Sequence, residues 1–409
     1  MFLFALSLIG YTDRILIASA AISIQQDLFL SNVHWGWVVG AFALGYALFQ
    51  LPSGLIADRM GASQLLILIA AAWSLFTFAT GTATTLFGLL TWRFFFGIAE
   101  AGMYPASSTI IATRYPPQKR AWAQAVLWVA SRLGAAVCPL LLSSVNVSLG
   151  WRACFYLTAL PGLGWAACWW FWNRRSLALP QTSPVIVASK MAHGSSTVRL
   201  RPGAFRAIVA LNVMYFGYCY GAYFFLAWMP KYLAAQGIPS VTGGFVYTGS
   251  FFIAAAAVAA GGKLGDWLTF RFPDTRARHF LAGTALGTAA VLIVLAVISR
   301  PPFSIALLIG AFAISDVVLP IAWAVTCDLG QPRAGVLSGA MNTSGNVGAF
   351  ACSLVFGYVL DATGSYSMPL LSSAAALATG SVAWLILTRE PLFRITEGAA
   401  ASASPGTQT

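Results

Sequence analysis

The sequence predicts an all-α membrane protein of twelve transmembrane helices in two six-helix bundles, with both termini cytoplasmic. Three observations carry that expectation: charge is scarce, apolar runs of spanning length recur along nearly the whole chain, and the basic residues sort to one side of those runs. Of 409 residues, 59% are apolar and only 8% are charged, with a mean hydropathy of +0.78. A soluble domain carries about 25% charged residues because its surface faces water, whereas a lipid-facing surface needs no such cover. A bilayer core of about 30 Å requires roughly 20 mostly apolar residues per helical span. The runs are continuously apolar rather than alternating, which favours helices over a barrel.

Breaks marked by Pro, Gly and clustered charge set the expected spans at 1–24, 34–57, 62–80, 84–112, 120–144 and 152–173, then 204–232, 241–266, 279–299, 302–327, 336–360 and 367–388. The first begins at Met1 without a basic n-region or a small-residue cleavage site, and so reads as a retained span rather than a signal peptide. Asn173–Gly203, rich in Ser, Pro and basic residues, has the composition of a linker. The expected domains are therefore an N-terminal bundle (1–173), a cytoplasmic linker (174–203), a C-terminal bundle (204–390) and a tail (391–409) expected to be disordered. With the N-terminus inside, 17 of the 23 Lys and Arg fall on the cytoplasmic side, three outside (Arg152, Lys231, Arg300) and three within spans (Arg14, Arg93, Arg132). This is the positive-inside pattern, and it accounts for the net charge of +12 with no nucleic-acid partner.

The halves repeat. Gly54-Leu-Ile-Ala-Asp58 closes the second span and Gly262-Lys-Leu-Gly-Asp266 the eighth, half a chain later, while Arg120-Ala before the fifth is matched by Arg333-Ala before the eleventh. A repeat of unchanged orientation suits two bundles rocking about a midplane site. The six cysteines show no metal-ligand spacing and read as small packing residues. Neither a metal nor a cofactor is expected. No nucleophile–base pair points to an enzyme.

Charges inside spans are the functional pointers, because each costs at least about 2.5–3.5 kcal/mol at the bilayer centre. They are Asp13, Arg14, Arg93, Glu100, Arg132 and Asp316. Arg93 and Glu100, seven apart, share one helix face about 10 Å apart along the axis. A glutamate poised between an arginine and dry surroundings can exchange a proton when a substrate anion takes over the arginine; a static ion pair is the alternative. Arg14, a permanently charged fork, suits a carboxylate's two oxygens. Its neighbour Asp13 is either a second proton site or a structural partner of an arginine. Arg132 is either a second substrate-facing cation or a partner for Asp13 or Glu100, and Asp316 is placed near the outer end of its span. Tyr46 and Gln50 share a face of the second span, and Asn342, Ser344 and Asn346 punctuate the eleventh. Together they form a sugar-binding wall or interhelical glue.

The Gly54-x-x-x-Asp58-Arg59-x-Gly61 loop resembles the signature of the major facilitator superfamily, although Ala62, Ser63 and Gln64 stand where basic residues usually follow. Tyr11-Thr-Asp13-Arg14, Tyr46 with Gln50-Leu-Pro-Ser-Gly54, Arg93-Phe-Phe-Phe-Gly97-Ile-Ala-Glu100, Gly150-Trp-Arg152, Trp228-Met-Pro230 and Met341-Asn-Thr-Ser-Gly-Asn346 resemble its anion:cation symporter branch. That branch includes bacterial sugar-acid importers and the sialin and vesicular glutamate group. The resemblance implies the major facilitator fold and a conformational latch at Gly54, Asp58 and Arg59, with Asp266 as the counterpart in the other half. It places Arg14 and Tyr46 on the substrate carboxylate, Arg93 with Glu100 in proton coupling, Asp13 as a second protonatable site, and Asn346 against substrate from the other bundle. Gln50, Arg132 and Asn342 join the candidate binding residues on their own polarity; the resemblance gives no role to Arg132 or Asp316. The function expected is proton-coupled import of a small organic anion, a sugar acid such as a hexonate or hexuronate, by a monomer in the cell membrane. The alternative is the same fold moving a neutral sugar, another carboxylate or an expelled drug, or a non-transporting sensor. Three intramembrane arginines disfavour organic cations.

Overall fold

The computed structural model describes residues 1–114, 117–177, 197–272, 276–330, 334–387 and 392–396. Helix occupies each apolar stretch that the sequence marks. In the first half, α1 (Phe2–Ser19) continues after Ala20 as the short α2 (Ala21–Asp27). It is followed by α3 (Asn32–Met60), α4 (Ala62–Gly81), α5 (Leu86–Glu100) with α6 (Met103–Arg114), α7 (Pro117–Leu149) and α8 (Trp151–Leu177). The second half runs α9 (Ala204–Ala227) with α10 (Met229–Ala235), α11 (Ser240–Arg271), α12 (Arg276–Ile298), α13 (Phe303–Asp316) with α14 (Val318–Gly330), α15 (Ala334–Thr363) and α16 (Ser367–Ile386). Gly61, at φ 85°, separates α3 from α4, and Gly150, at φ 81°, separates α7 from α8. A Cβ would resist that left-handed backbone. Among the described residues, nine helical stretches are long and apolar enough to cross a bilayer.

The first and fourth segments are broken in each half, and three of the breaks have a common cause. Pro105, Pro230 and Pro320 sit in the first turn of α6, α10 and α14. A proline there has no N–H to bond back to the preceding helix. The repeat foreseen in sequence is therefore also a repeat of helix interruptions.

The halves meet where α3 packs on α15 and α7 on α11. Close approach of α3 and α15 requires glycine on both sides: a Cβ on Gly36 would stand 2.5 Å from the Ser353 carbonyl, and one on Gly357 2.5 Å from that of Asn32. Tyr223 donates to the Val39 carbonyl at 3.0 Å and Thr248 to that of Ala136 at 3.0 Å, each across the two halves. At the end away from the termini, the Asp361 carboxylate accepts the backbone N–H groups of Asn32 (3.0 Å) and Val33 (2.8 Å), capping α3 from the other half. Trp37 donates to Tyr358 at 3.3 Å, and the Lys231 ammonium to the Asn32 side chain. A cavity of about 500 Å³ at this end is lined by Gln25, Ser31, Asn32, Lys231 and Tyr366 among others.

Two departures from the sequence reading lie at the opposite end. Helix α8 continues to Leu177, past the expected boundary at 173. Thr197–Leu200 and Phe393–Thr396 pair as antiparallel strands β1 and β2, so residues 392–396 of the tail expected to be disordered are placed against the linker. The ribbon is continued by Arg201 N–H to the Leu392 carbonyl (2.9 Å) and fastened by Leu392 N–H to that of Leu329 (2.8 Å). Each strand is four residues long and gains its pairing only from the other, a long-range event that local composition does not announce. The rest of the expected linker and tail, 178–196 and 397–409, lies outside the described residues.

Candidate functional site

The six charges within the apolar segments gather where the broken helices stop. Glu100 is the last residue of α5 and Asp316 the last of α13, so each half brings one carboxylate to its fourth-segment break. Each holds an arginine of the first half. Arg14 on α1 places Nε 3.3 Å from Glu100 Oε2 and Nη2 3.1 Å from Oε1. The second contact is an ion pair without hydrogen-bond alignment, since neither Nη2 nor Oε1 has a hydrogen-bond partner. Arg132 on α7 is held more closely, with Nε 2.6 Å from Asp316 Oδ2 and Nη2 3.0 Å from Oδ1. Tyr218 on α9 donates to Asp316 Oδ1 at 2.6 Å. Arg132 Nη1 is buried with no hydrogen-bond partner.

Pairs of the cations share aromatic rings. The Arg93 guanidinium carbon lies 5.1 Å from the Phe42 ring centroid and that of Arg14 4.7 Å from the same ring. Arg14 also lies 4.6 Å from the centroid of Tyr11, and Arg132 5.9 Å from that centroid. Tyr46 completes the cage about Arg14 at 5.1 Å. Such cation–π contacts are each worth on the order of 0.5–2 kcal/mol and strengthen where water is excluded. Arg93 is buried against Phe42 and Phe96 with its Nε unpartnered. Asp13 is buried too, with the Thr158 and Thr77 hydroxyls beside its carboxylate but neither aligned as a hydrogen bond.

Neutral polar groups flank this chain of charges. Asn342 donates through Nδ2 to Gln50 Oε1 at 3.1 Å, joining α15 to α3 across the halves. Asn346 donates to the Asn342 carbonyl one turn back at 2.8 Å.

The structure revises three expectations. Glu100 is paired with Arg14 and not with Arg93, because α1 brings a guanidinium directly opposite while Arg93 stands two turns away on Glu100's own helix. Arg132 is paired with neither Asp13 nor Glu100 but with Asp316 of the other half. Asp316, expected near an outer end, is fully buried at a mid-segment break. The Asp316–Tyr218 pair, Tyr11 and Phe42 were not foreseen as parts of the site. One signal was present: Glu100 and Asp316 stand at nearly the half-chain offset of the two Gly-x-x-x-Asp motifs. Of the expected latch, Asp266 is exposed on α11, and the side chains of Gly54, Asp58 and Arg59 lie outside the described residues.

The sequence profile of the Major Facilitator Superfamily matches residues 2–353. The chain is 27% identical to a probable sulfoacetate transporter, SauU, of Cupriavidus necator, over 95% of this chain and 92% of that one. It is 28% identical to a hexuronate transporter of Bacillus subtilis, over 95% and 94%, and 26% identical to a probable L-galactonate transporter of Escherichia coli, over 96% and 89%. The fold matches the crystal structure of a bacterial homologue of the human lysosomal transporter Spinster, in an inward-facing and unoccupied conformation. The TM-score is 0.66 at 20% identity, over 94% of this chain and 93% of that one. With a matched profile over most of its length, transporters as its relatives and apolar helices throughout, the chain belongs to the Major Facilitator Superfamily as a multi-pass membrane protein of the cell membrane and not an enzyme.

Proposed function

We propose that this protein imports a small organic anion, a sugar acid such as a hexonate or hexuronate, together with protons. It works as a monomer of twelve spans with both termini cytoplasmic, alternating access between two six-helix bundles. The observation that carries this reading is the Arg14–Glu100 pair. Arg14 is the more accessible partner, with 12% of its side chain exposed against none of that of Glu100, and one of its two contacts is misaligned. A substrate carboxylate offers that guanidinium the bidentate geometry that Glu100 does not. Once displaced, Glu100 is a buried carboxylate without its cation, a state costing several kcal/mol that a proton removes. Asp13, buried with no salt bridge to a cation among the described residues, is the second proton site by the same argument. Arg93, which shares the Phe42 ring with Arg14, holds the field that sets when these acids release their protons.

Tyr46 joins Arg14 at the carboxylate, and Gln50, Asn342 and Asn346 are the hydroxyl-recognising wall. The Gln50–Asn342 bond spans the two halves, so a sugar hydroxyl that replaces it couples binding to their relative movement. Gly54, Asp58, Arg59 and Asp266 form the latch at the ends of α3 and α11. The acid sugars named for the Bacillus and Escherichia relatives support the substrate class.

The experiment is pH-gradient-driven uptake of labelled hexonates and hexuronates into proteoliposomes. Arg14→Ala is expected to abolish binding and Glu100→Gln only the proton-driven accumulation. Native behaviour in both variants, or movement of no acid, would sink the reading.

A further inference from the structure

The Arg132–Asp316 pair has no part in the cycle just described, yet it repeats the construction of the Arg14–Glu100 pair. In both, an arginine of the first half is held by the carboxylate that ends a broken fourth segment, Glu100 in one half and Asp316 in the other. Both guanidiniums flank one ring: their carbons lie 4.6 Å and 5.9 Å from the Tyr11 centroid, so they stand no farther apart than those two distances combined. Both also keep a donor in reserve, Nη2 on Arg14 and Nη1 on Arg132, buried and without a hydrogen-bond partner. An unsatisfied buried donor on a charged group is costly, and a ligand oxygen would recover that cost.

We propose that Arg132 is a second anion-binding position, and that the substrate carries two acidic groups that bridge Arg14 and Arg132 past Tyr11. The substrate class is a small diacid: a dicarboxylate, or a carboxylate with a second oxyanion. This deepens the reading above and rests on it.

The geometry also says what the second acidic group does. Glu100 lies in the same half as Arg14, but Asp316 reaches Arg132 from the other half. Displacing Glu100 therefore rearranges one bundle, whereas displacing Asp316 unhooks α7 from α13 across the interface. Tyr218, already donating to Asp316 at 2.6 Å, retains the released carboxylate on its own side. A monoacid satisfies Arg14 alone, whereas a diacid satisfies both arginines and so favours the open hook.

The test compares acids matched in length and hydroxylation that differ in the second carboxylate: glucarate against gluconate, and tartrate against threonate. Binding to the purified full-length protein is measured by titration calorimetry, and exchange by counterflow. In the native protein one diacid is expected to bind at least tenfold more tightly than its monoacid, about 1.4 kcal/mol. Asp316→Asn, which removes the competitor and keeps the cation, is expected to raise diacid affinity. The paired change Arg132→Gln with Asp316→Asn removes both charges together, leaves no lone buried ion, and is expected to erase the diacid preference. A purely structural pair predicts the opposite for Asp316→Asn, namely weaker binding of both acids in step with a lower melting temperature. That result, or a tenfold preference surviving in the paired variant, would overturn the proposal. Equal binding of diacid and monoacid by the native protein would overturn it while leaving the monoacid symport reading intact. Binding of none of the four would remove both.

Discussion

Arg14 and Arg132 are held by carboxylates, but not alike: the contacts are 3.1–3.3 Å for Arg14 and 2.6–3.0 Å for Arg132. Removing one partner of a buried pair typically costs about 3–5 kcal/mol, because the other charge is left dry and alone. Arg14→Ala should therefore lower the melting temperature, and adding Glu100→Gln should restore most of the loss without restoring transport. Thermal unfolding of the three proteins in one detergent decides it; a double variant no more stable than Arg14→Ala would mean that Glu100 is not left stranded. At the far end of the molecule, burial pushes the Lys231 amine down to about 8, with Asp361 pulling the other way. The free lysine value is about 10.4, so the closed arrangement binds this proton less tightly than an open, solvated one. Stability of the closed end should rise as pH goes from about 8 towards 10 and fall on acidification. Amine labelling of Lys231 should show a midpoint near 8, and a midpoint near 10 would place the group in open water. The six span charges were legible in sequence because each interrupts an apolar run. Their pairing was not, because Arg14 meets Glu100 and Arg132 meets Asp316 across helices distant in the chain.

Helices, by contrast, were legible almost throughout, since continuous hydropathy fixes their existence and glycine fixes their turns. Their interruptions were half legible: Pro105, Pro230 and Pro320 mark three of them, while the break at Ala20 has no proline beside it. How α3 meets α15 could not be read, because Gly36 and Gly357 are ordinary glycines until the helices are laid together. Two changes test this contact. Gly36→Val drives a side chain into the Ser353 carbonyl, which backbone cannot yield cheaply. Asp361→Ala removes the cap on α3, a loss typically worth about 0.5–2 kcal/mol. Both should shift the molecule towards states open at that end, read as faster maleimide labelling of Ser31→Cys in a background without the native cysteines. Unchanged labelling in both variants would mean that this contact does not hold the end shut.

For the whole molecule, the deciding quantity is charge moved per cycle. A monoanion entering against an inside-negative potential costs about 2.3 kcal/mol per 100 mV; one proton cancels that cost, and a second would let the potential drive accumulation. In the proposed cycle Asp13 and Glu100 are the two sites. Uptake of a hexonate should carry net positive charge inward, seen as a transient current on a solid-supported membrane, and electroneutral uptake would limit the protein to one proton. The two-half architecture was visible beforehand in the repeated Gly-x-x-x-Asp motif and the sorting of basic residues. What hydropathy could not reveal is the small sheet beside the second half, since strands of four residues leave no periodic trace.

That ribbon bears on how the polypeptide can be divided. Both strands are fastened to α14 through the Leu392–Leu329 bond, while α8 runs to Leu177. Two separately encoded fragments, 1–177 and 197–409, would each retain all of the local backbone pairing described for it. What they would have to re-form is non-covalent: the Asp361 cap, the glycine crossing and the Arg132–Asp316 hook. Reassembly of such fragments into an active carrier would show that the bundles recognise one another as two proteins do, through complementary faces rather than a shared strand of chain.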